Sequence, residues 1–179
     1  MTLPAWHLEP IAKSHRHEAF DCGDPELNLF LRRFARQSHE QHASKTFCAV
    51  DNADPGRILG FYTIATSSIK YELAPKAMAR GLAKHDIRAF LLARLATDLS
   101  VAGQGLGTKL VASAARRCFQ AAQEVGGTLL VVDAKNERAA NWYASFGAEP
   151  LANHPLTLVI LLASFVGDLE ATGLSEANR

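Results

Sequence analysis

A chain of 179 residues that is 48% hydrophobic and 21% charged has an ordinary globular composition, which excludes a disordered or low-complexity protein. A formal net charge of +1 argues against a dedicated nucleic-acid binder. The three cysteines are an odd number without metal-ligand spacing, so we expect no metal site. With no signal peptide and no apolar stretch long enough to cross a bilayer, we expect a cytoplasmic protein without a membrane partner.

The first half of the chain is predicted to contain a strand, a helix and a hairpin. The strand lies within residues 1–12, and the histidines of the basic loop that follows are expected to be exposed. Asp24 can cap a helix and Pro25 fits its first position, so a helix is predicted from there to about Gln41. The strands of the hairpin are predicted at residues 46–50 and 58–65.

The second half alternates strands and helices around one glycine-rich turn. A weak helix near Pro75 is followed by a strand at residues 90–97, and the turn then opens an amphipathic helix that stops at Gly126. The apolar stripe of that helix consists of Leu106, Leu110, Ala114, Cys118, Ala121 and Val125. The remaining predicted elements are a buried strand at 128–133, a helix at 136–146 and a last strand at 156–165.

No repeat or linker interrupts the chain, which predicts a single domain spanning residues 1–179. The polar segment 167–179 is expected to be a flexible tail.

A basic segment runs from Lys70 to Arg94, with six basic residues against two acidic ones. Two interpretations fit this excess: a face that attracts a polyanion, and an ordinary solvated surface. If nucleic acid is the substrate, the candidate contacts are Lys76, Arg80, Lys84, Arg88 and Arg94.

The turn Ala102–Gly107 is predicted to bind a phosphate group. Glycines let backbone N–H groups approach a ligand, and a helix N-terminus supplies unpaired donors beside the positive end of its dipole. Its glycine spacing is too short for a P-loop, and Thr108-Lys109 is in the wrong order for one. The Gly-x-Gly-x-Gly pattern also differs from the dinucleotide-binding fingerprint.

A second pattern follows one strand later. Asn136 and Tyr143 are seven residues apart, so they share one helical face, and the small Ala139 lies on the same side. Together with the glycine turn, this Asn-x-x-Ala-x-x-x-Tyr-x-x-x-Gly pattern resembles the GNAT acyltransferase superfamily over roughly residues 90–148. The resemblance implies an α/β fold with a central, mostly antiparallel twisted sheet flanked by helices, with splayed central strands. It also implies acetyl-CoA as co-substrate.

The resemblance assigns a role to each candidate site residue. The diphosphate would lie on the backbone N–H groups of Gly103, Gln104, Gly105, Leu106, Gly107 and Thr108. The pantetheine arm would pair with Leu95, Ala96 and Thr97, and Asn136 would contact the cofactor. Tyr143 would lie near the sulfur and is the candidate general acid, the alternative being a tyrosine that packs on the sheet. Two departures from the family pattern are Ala102, where Arg or Gln is usual, and Ala148, where an aromatic residue is usual.

Asp98 and Asp133 lie at predicted strand ends and are candidate bases acting through water. We favour capping and loop hydrogen bonding for both. An aminoacyl ester has a more acidic amino group than a free amino acid, so a strong protein base is unnecessary.

Three further segments narrow the resemblance to one subgroup. Residues 20–27, 31–35 and 92–98 look like the acetyltransferase toxins of bacterial toxin–antitoxin pairs. That implies acetylation of the amino group on charged tRNA, which stops translation. It also implies a homodimer and a ribbon-helix-helix antitoxin, through which DNA is contacted only indirectly. Two alternatives stay open: a GNAT enzyme acting on a protein N-terminus or small amine, and a non-catalytic coenzyme A-binding partner of a DNA-binding protein.

Overall fold

A computed structural model describes residues 2–173 and confirms the mixed α/β fold. One seven-stranded, mostly antiparallel sheet has the strand order β1-β2-β3-β4-β5-β7-β6. The strands are β1 Trp6–Pro10, β2 Lys45–Asp51, β3 Asp54–Ile69, β4 Ile87–Thr97, β5 Leu129–Asp133, β6 Glu149–Leu151 and β7 His154–Leu161. The helices are α1 Pro25–Leu29, α2 Ala35–Glu40, α3 Lys76–Ala79, α4 Leu106–Val125, α5 Glu137–Ala144 and α6 Leu162–Ala171.

The described chain divides into two compact units. The first contains the chain up to Ala65 together with Arg94–Ala114, and the second contains Thr66–Ala93 and Ala115–Gly173. Elements β3, β4 and α4 each run through both units.

The predicted start of the first helix is confirmed. The Asp24 carboxylate accepts hydrogen bonds from the N–H groups of Glu26 and Leu27, and Pro25 occupies the first helical position. A π-helical turn, Phe30–Phe34, separates α1 from α2, and the Ala35 N–H donates to the Phe30 carbonyl. Because a π turn contains an extra residue, it changes which side chains face inward beyond it.

The core of the first unit lies between the first helices and the hairpin. Phe61 of β3 is fully buried and contacts two rings, with centroid distances of 5.5 Å to Phe20 and 6.3 Å to Phe30. The hairpin turns at Asn52 and Ala53, and both of its strands extend beyond the predicted ranges. Its register pairs Thr46 with Thr63.

The core of the second unit lies on β5. Leu129, Leu130, Val131 and Val132 are all buried, as the continuous apolar run predicts. Strand β5 pairs in parallel with β4 only from Ala89–Leu129 to Leu92–Val132, whereas β4 continues to Thr97. The ladder between these central strands therefore ends near the end of β5 itself, short of the end of β4.

The C-terminal prediction is wrong in two respects. Residues 162–165 belong to helix α6, not to a strand, and the sequence pattern does not indicate the short strand β6. The segment Gly167–Ala171 also belongs to α6, whereas residues 174–179 of the predicted tail lie outside the described residues.

Two burial predictions are also wrong. The His15 side chain is 1% exposed, and its Nδ1 accepts a hydrogen bond from the Ala12 N–H at 3.1 Å. Val125, placed on the apolar stripe of α4, is 75% exposed. It is the last residue of the helix, directly before Gly126 at φ +85°. The apolar stripe therefore extends one residue beyond the part of the helix that is packed. Among residues 2–173, no helix is both long and apolar enough to cross a membrane.

Candidate active site

The glycine turn in the first unit follows closely on the end of β4. A short 3-10 turn, Leu99–Val101, leads from β4 to the glycines. Gly103 and Gly105 have φ angles of +74° and +86°, and a Cβ atom built on either would meet nothing within 4 Å. The backbone angles therefore favour glycine, while the space around the turn stays open to a ligand.

Helix α4 begins immediately after the turn. Its first intrahelical bond at this end runs from the Lys109 N–H to the Gly105 carbonyl at 3.4 Å. The N–H groups of Leu106, Gly107 and Thr108 precede that bond and have no carbonyl four residues back within the helix to accept them. Together with the accessible glycines, these donors fit a diphosphate group.

The end of β4 is packed closely against β3 and α4. Ala96 is buried, whereas Leu95 and Thr97 are half-buried. A Cβ atom on Gly60 of β3 would lie 3.0 Å from both the Ala96 carbonyl oxygen and Leu110 Cδ1. The absence of a side chain at Gly60 therefore allows the end of β4 and the first turns of α4 to lie close to β3.

Two of the segments that carry the narrower resemblance meet next to the turn. The Asp21 N–H donates to Asp98 Oδ2 at 3.0 Å, and the Leu99 N–H donates to the Asp21 carbonyl at 2.8 Å. The segment at residues 20–27 is thus hydrogen-bonded directly to the residues that follow β4.

In the second unit, Asn136 is the N-cap of α5. Its Oδ1 accepts a hydrogen bond from the Ala139 N–H at 2.9 Å. The predicted cofactor contact therefore also has a structural role, which fixes the first turn of the helix that carries Tyr143.

Tyr143 lies near the end of α5, half-buried. Burial raises its pKa from 10.0 to about 12. Its ring packs edge-on against Trp142, with the centroids 4.9 Å apart. A phenol with so high a pKa is fully protonated at neutral pH, so it can donate a proton but is a poor base.

Both candidate carboxylate bases are engaged in structural hydrogen bonds. Asp98 accepts from the N–H of Ser100, and Asp133 Oδ1 accepts from the Thr157 hydroxyl at 2.9 Å. Within the described chain, no group of three or more His, Cys, Asp or Glu side chains is arranged to hold a metal ion.

The predicted basic residues are only partly brought together. Lys76, Arg80 and Lys84 are exposed and line one groove of about 560 Å³ in the second unit, with Glu72 on the same wall. Arg88 is also exposed, but it lines other hollows of that unit. None of these four cations forms a salt bridge with a carboxylate of the described chain.

Arg94 belongs to the first unit. Its guanidinium lies over the Phe30 ring, 5.0 Å from the centroid, and this ring belongs to the π-helical turn. The sequence does not predict this contact, because no pattern in it indicates that the helix changes its hydrogen bonding at Phe30.

Comparison with known proteins yields one family and several similar toxins. Residues 8–148 match the Acetyltransferase (GNAT) family. The tRNA-acetylating toxin of Mycobacterium tuberculosis is 33% identical over 153 residues, which cover 84% of this chain and 90% of the relative.

Two solved structures of the toxin AtaT are also similar. AtaT complexed with acetyl-methionyl-tRNAfMet has a TM-score of 0.82 at 30% identity, covering 89% of this chain and 96% of the other. A Tyr-to-Phe mutant of AtaT bound to the C-terminus of the antitoxin AtaR and acetyl-CoA has a TM-score of 0.76 at 29% identity, covering 89% and 95%.

Proposed function

Because this chain belongs to the acetyltransferase (GNAT) family, we propose that it transfers an acetyl group from acetyl-CoA to the α-amino group of aminoacyl-tRNA. One observation carries the choice of substrate: 33% identity over 84% of the chain to a relative named a tRNA-acetylating toxin. The result would be a blocked amino group that cannot accept a growing peptide, and hence arrested translation. The whole chain acts as one acetyltransferase domain.

The residues of the glycine turn hold the co-substrate. The N–H groups from Gly103 to Thr108 bind its diphosphate, and the accessible turn with positive φ at two glycines supports this assignment. Leu95, Ala96 and Thr97 pair with the pantetheine arm, Asn136 contacts the cofactor, and a backbone N–H near Thr97 stabilises the tetrahedral oxyanion.

Acetyl-CoA supplies an activated thioester, and the chemical demand on the protein is therefore small. A free α-amino group has a pKa of roughly 7.7–8.0, and esterification lowers it further, so a substantial fraction is neutral at cytoplasmic pH. The neutral nitrogen attacks the carbonyl carbon, the C–S bond breaks, and the Tyr143 hydroxyl donates its proton to the departing sulfur. The amine proton is released to solvent, and the tyrosine is reprotonated from there.

The direct test is acetylation with labelled acetyl-CoA. Charged tRNA, peptides with free N-termini and a polyamine are offered at equal amine concentration. We expect label only on the amino group of the aminoacyl ester, released as an N-acetylamino acid by mild base. Preferential labelling of peptide or polyamine would instead assign the chain to another acceptor class. Coenzyme A binding without transfer to any amine would indicate a non-catalytic regulatory protein.

The groove lined by Lys76, Arg80 and Lys84 is the proposed tRNA contact. Three exposed cations without a carboxylate partner in the described chain support this assignment. Each Gln substitution is expected to reduce the slope of log K against log salt by about 0.7–0.9 for every phosphate that the variant no longer neutralises. The exposed Lys13→Gln, outside the groove, is the control with the same charge change. An unchanged slope in all three groove variants would mean that tRNA binds elsewhere on the protein.

We further propose that a ribbon-helix-helix antitoxin neutralises this chain in the cytoplasm, that DNA is bound only through that antitoxin, and that the toxin is a homodimer. The AtaT structure with the antitoxin AtaR supports an antitoxin partner. Co-expression of this chain with a ribbon-helix-helix protein encoded next to it should restore growth and give a co-purifying complex, and a neighbouring region that encodes no such protein would count against this partner. Light scattering on the isolated chain measures the oligomeric state, and a monomer mass would rule out the homodimer.

A further inference from the structure

A chain of side-chain hydrogen bonds connects the β2–β3 hairpin to the entry of the glycine turn. It begins at the buried Asp51, whose Oδ2 accepts from Arg57 Nη1 at 3.1 Å. Arg57 Nη2 donates to the Ser100 hydroxyl oxygen at 3.0 Å. The Ser100 hydroxyl in turn donates to Asp98 Oδ1 at 2.5 Å. Each of these three side-chain hydrogen bonds restrains the two groups that it joins, so the side chains limit each other's orientation.

Asp98 fixes the main chain at the end of β4. Its Oδ1 also accepts from the Ser100 N–H at 3.0 Å, and its own N–H donates to the Leu59 carbonyl at 2.8 Å. With the Asp21 N–H on Oδ2, this one residue thus holds three backbone segments together. The short 3-10 turn Leu99–Val101 is capped by its carboxylate.

The turn is linked to the glycine segment by a side chain. Gln104 Nε2 lies 3.5 Å from the Ser100 carbonyl oxygen, at the limit of a hydrogen bond. Ala102, Gly103 and Gly105 are exposed, and a Cβ atom built on either glycine would meet nothing within 4 Å, so little packing surrounds the turn. Its position must depend on the segments at either end, which are the 3-10 turn and the first turn of α4.

We propose that Arg57, Ser100 and Asp98 are positioning residues that set the geometry of the diphosphate-binding turn. They do not touch the co-substrate; they act through the 3-10 turn Leu99–Val101. This inference rests on the proposed function for the identity of the ligand, acetyl-CoA. The geometry of the turn, in contrast, is a property of the chain without ligand. Their partner Asp51 is buried, which anchors the hydrogen-bonded chain in the hairpin.

The test uses Ser100→Ala, which removes only the central hydroxyl. The loss of a hydrogen bond of this kind corresponds to roughly a 2- to 13-fold change in an equilibrium. We expect coenzyme A to bind about 3- to 10-fold more weakly by calorimetry, and the KM for acetyl-CoA to rise by a similar factor. The kcat at saturating acetyl-CoA should stay within about twofold of the wild type, because the reacting atoms are not affected. Ser100→Thr, which keeps the hydroxyl, should restore binding.

Matched controls are available in the same unit. Ser38→Ala removes a hydroxyl that is bonded to Ser44 at 2.7 Å, away from the turn. Arg16→Gln breaks the ion pair of Arg16 with Asp54 on the same hairpin, whereas Arg57→Gln breaks the pair with Asp51. Only the Ser100 and Arg57 variants should weaken coenzyme A binding. If Ser100→Ala is poorly folded, the comparison of coenzyme A binding between Arg57→Gln and Arg16→Gln tests the proposal instead.

Amide hydrogen exchange in the free chain tests the geometry independently of any ligand. The hydrogen-bonded amides on either side of the turn, those of Leu99, Val101 and Lys109, should exchange at least about threefold faster in Ser100→Ala and Arg57→Gln than in the controls. Unchanged exchange, or equal loss of binding in the controls, would overturn the positioning role. A wild-type chain that binds no coenzyme A, with faster exchange in the two variants, would refute the proposed function while keeping the positioning role.

Discussion

Replacement of Tyr143 by Phe separates a catalytic hydroxyl from a packing tyrosine. The substitution keeps the ring against Trp142 and removes only the proton that we assign to the departing sulfur. General acid catalysis contributes typically about 10²- to 10⁴-fold, so kcat with charged tRNA should fall by that factor. The Kd for coenzyme A should be unchanged, and growth arrest on expression should be lost.

The same substitution has an effect on stability whose size follows from the pKa. The pKa of Tyr143 is raised by burial from 10.0 to about 12. A group with a raised pKa in the folded state stabilises the fold fully below the unfolded pKa, and this contribution is lost as pH rises through the folded pKa. A shift of about two pKa units corresponds to roughly 3 kcal/mol, lost between roughly pH 10 and pH 12.

Urea unfolding at pH 7 and at several values above pH 9 measures this contribution as a difference between two proteins. The thiols of Cys48 and Cys118 also have pKa values raised by burial to about 12, so they destabilise both proteins alike at high pH. The Tyr143→Phe protein should lose less stability than the wild type as pH rises. Parallel stability curves would show that the hydroxyl is not buried as described.

Tyr62→Phe is the matched control for the kinetics. The Tyr62 hydroxyl lies 3.1 Å from the Ser113 hydroxyl in the core, so its removal should cost about 1 kcal/mol of stability. It should leave kcat unchanged. If Tyr143→Phe keeps full acetyl transfer, or if both variants lose activity equally, Tyr143 is not the general acid.

Substitutions at three further positions, two of them with a matched control variant, test the local geometry. Gly105→Ala should cost about 1–2 kcal/mol of backbone strain at φ +86° and raise the KM for acetyl-CoA, while Gly126→Ala at φ +85° should cost the same without changing KM. Equal KM values in the two variants would contradict a ligand role for the turn. Gly60→Ala should lower urea stability by about 1–3 kcal/mol, because its Cβ would lie 3.0 Å from the Ala96 oxygen, and a neutral result would mean that the strand can shift. Asn136→Ala should lose about 1 kcal/mol in thermal unfolding, and Asn136→Asp should recover it if capping is the cause.

Short sequence patterns correctly predicted the elements that a few neighbouring residues are enough to specify. Asp24 and Pro25 start a helix whatever lies around it, and the run from Leu129 to Val132 is apolar enough to require a buried strand. In the same way, Asn136 and Tyr143 were found because two helical turns align them.

The errors occurred where packing decides between two local patterns. Helix α6 buries residues at helical spacing, namely Leu162, Phe165, Val166 and Leu169. The strand before it is also apolar, so one continuous apolar run hides the change from strand to helix periodicity. His15 lies in a polar sequence, and its buried contacts, a hydrogen bond from the Ala12 N–H and a 3.4 Å approach to Glu9, leave no pattern in that sequence. The link from Arg57 to Ser100 joins residues 43 positions apart, which no local pattern indicates.

The proposed binding surface consists of main-chain N–H groups, and this changes how mutations can disable the protein. Every amino acid except proline supplies the same backbone donor, so most exchanges within residues 103–108 leave the donors themselves intact. In a selection for cells that survive expression of the chain, missense escape that acts through the turn should therefore fall on residues that control backbone shape. Gly103 and Gly105 hold positive φ, and a Cβ atom on Gly60 would lie 3.0 Å from the Ala96 carbonyl oxygen and from Leu110. The inactivating substitutions in this region would then lie at residues that hold the turn in shape, and not at the residues whose N–H groups bind the ligand.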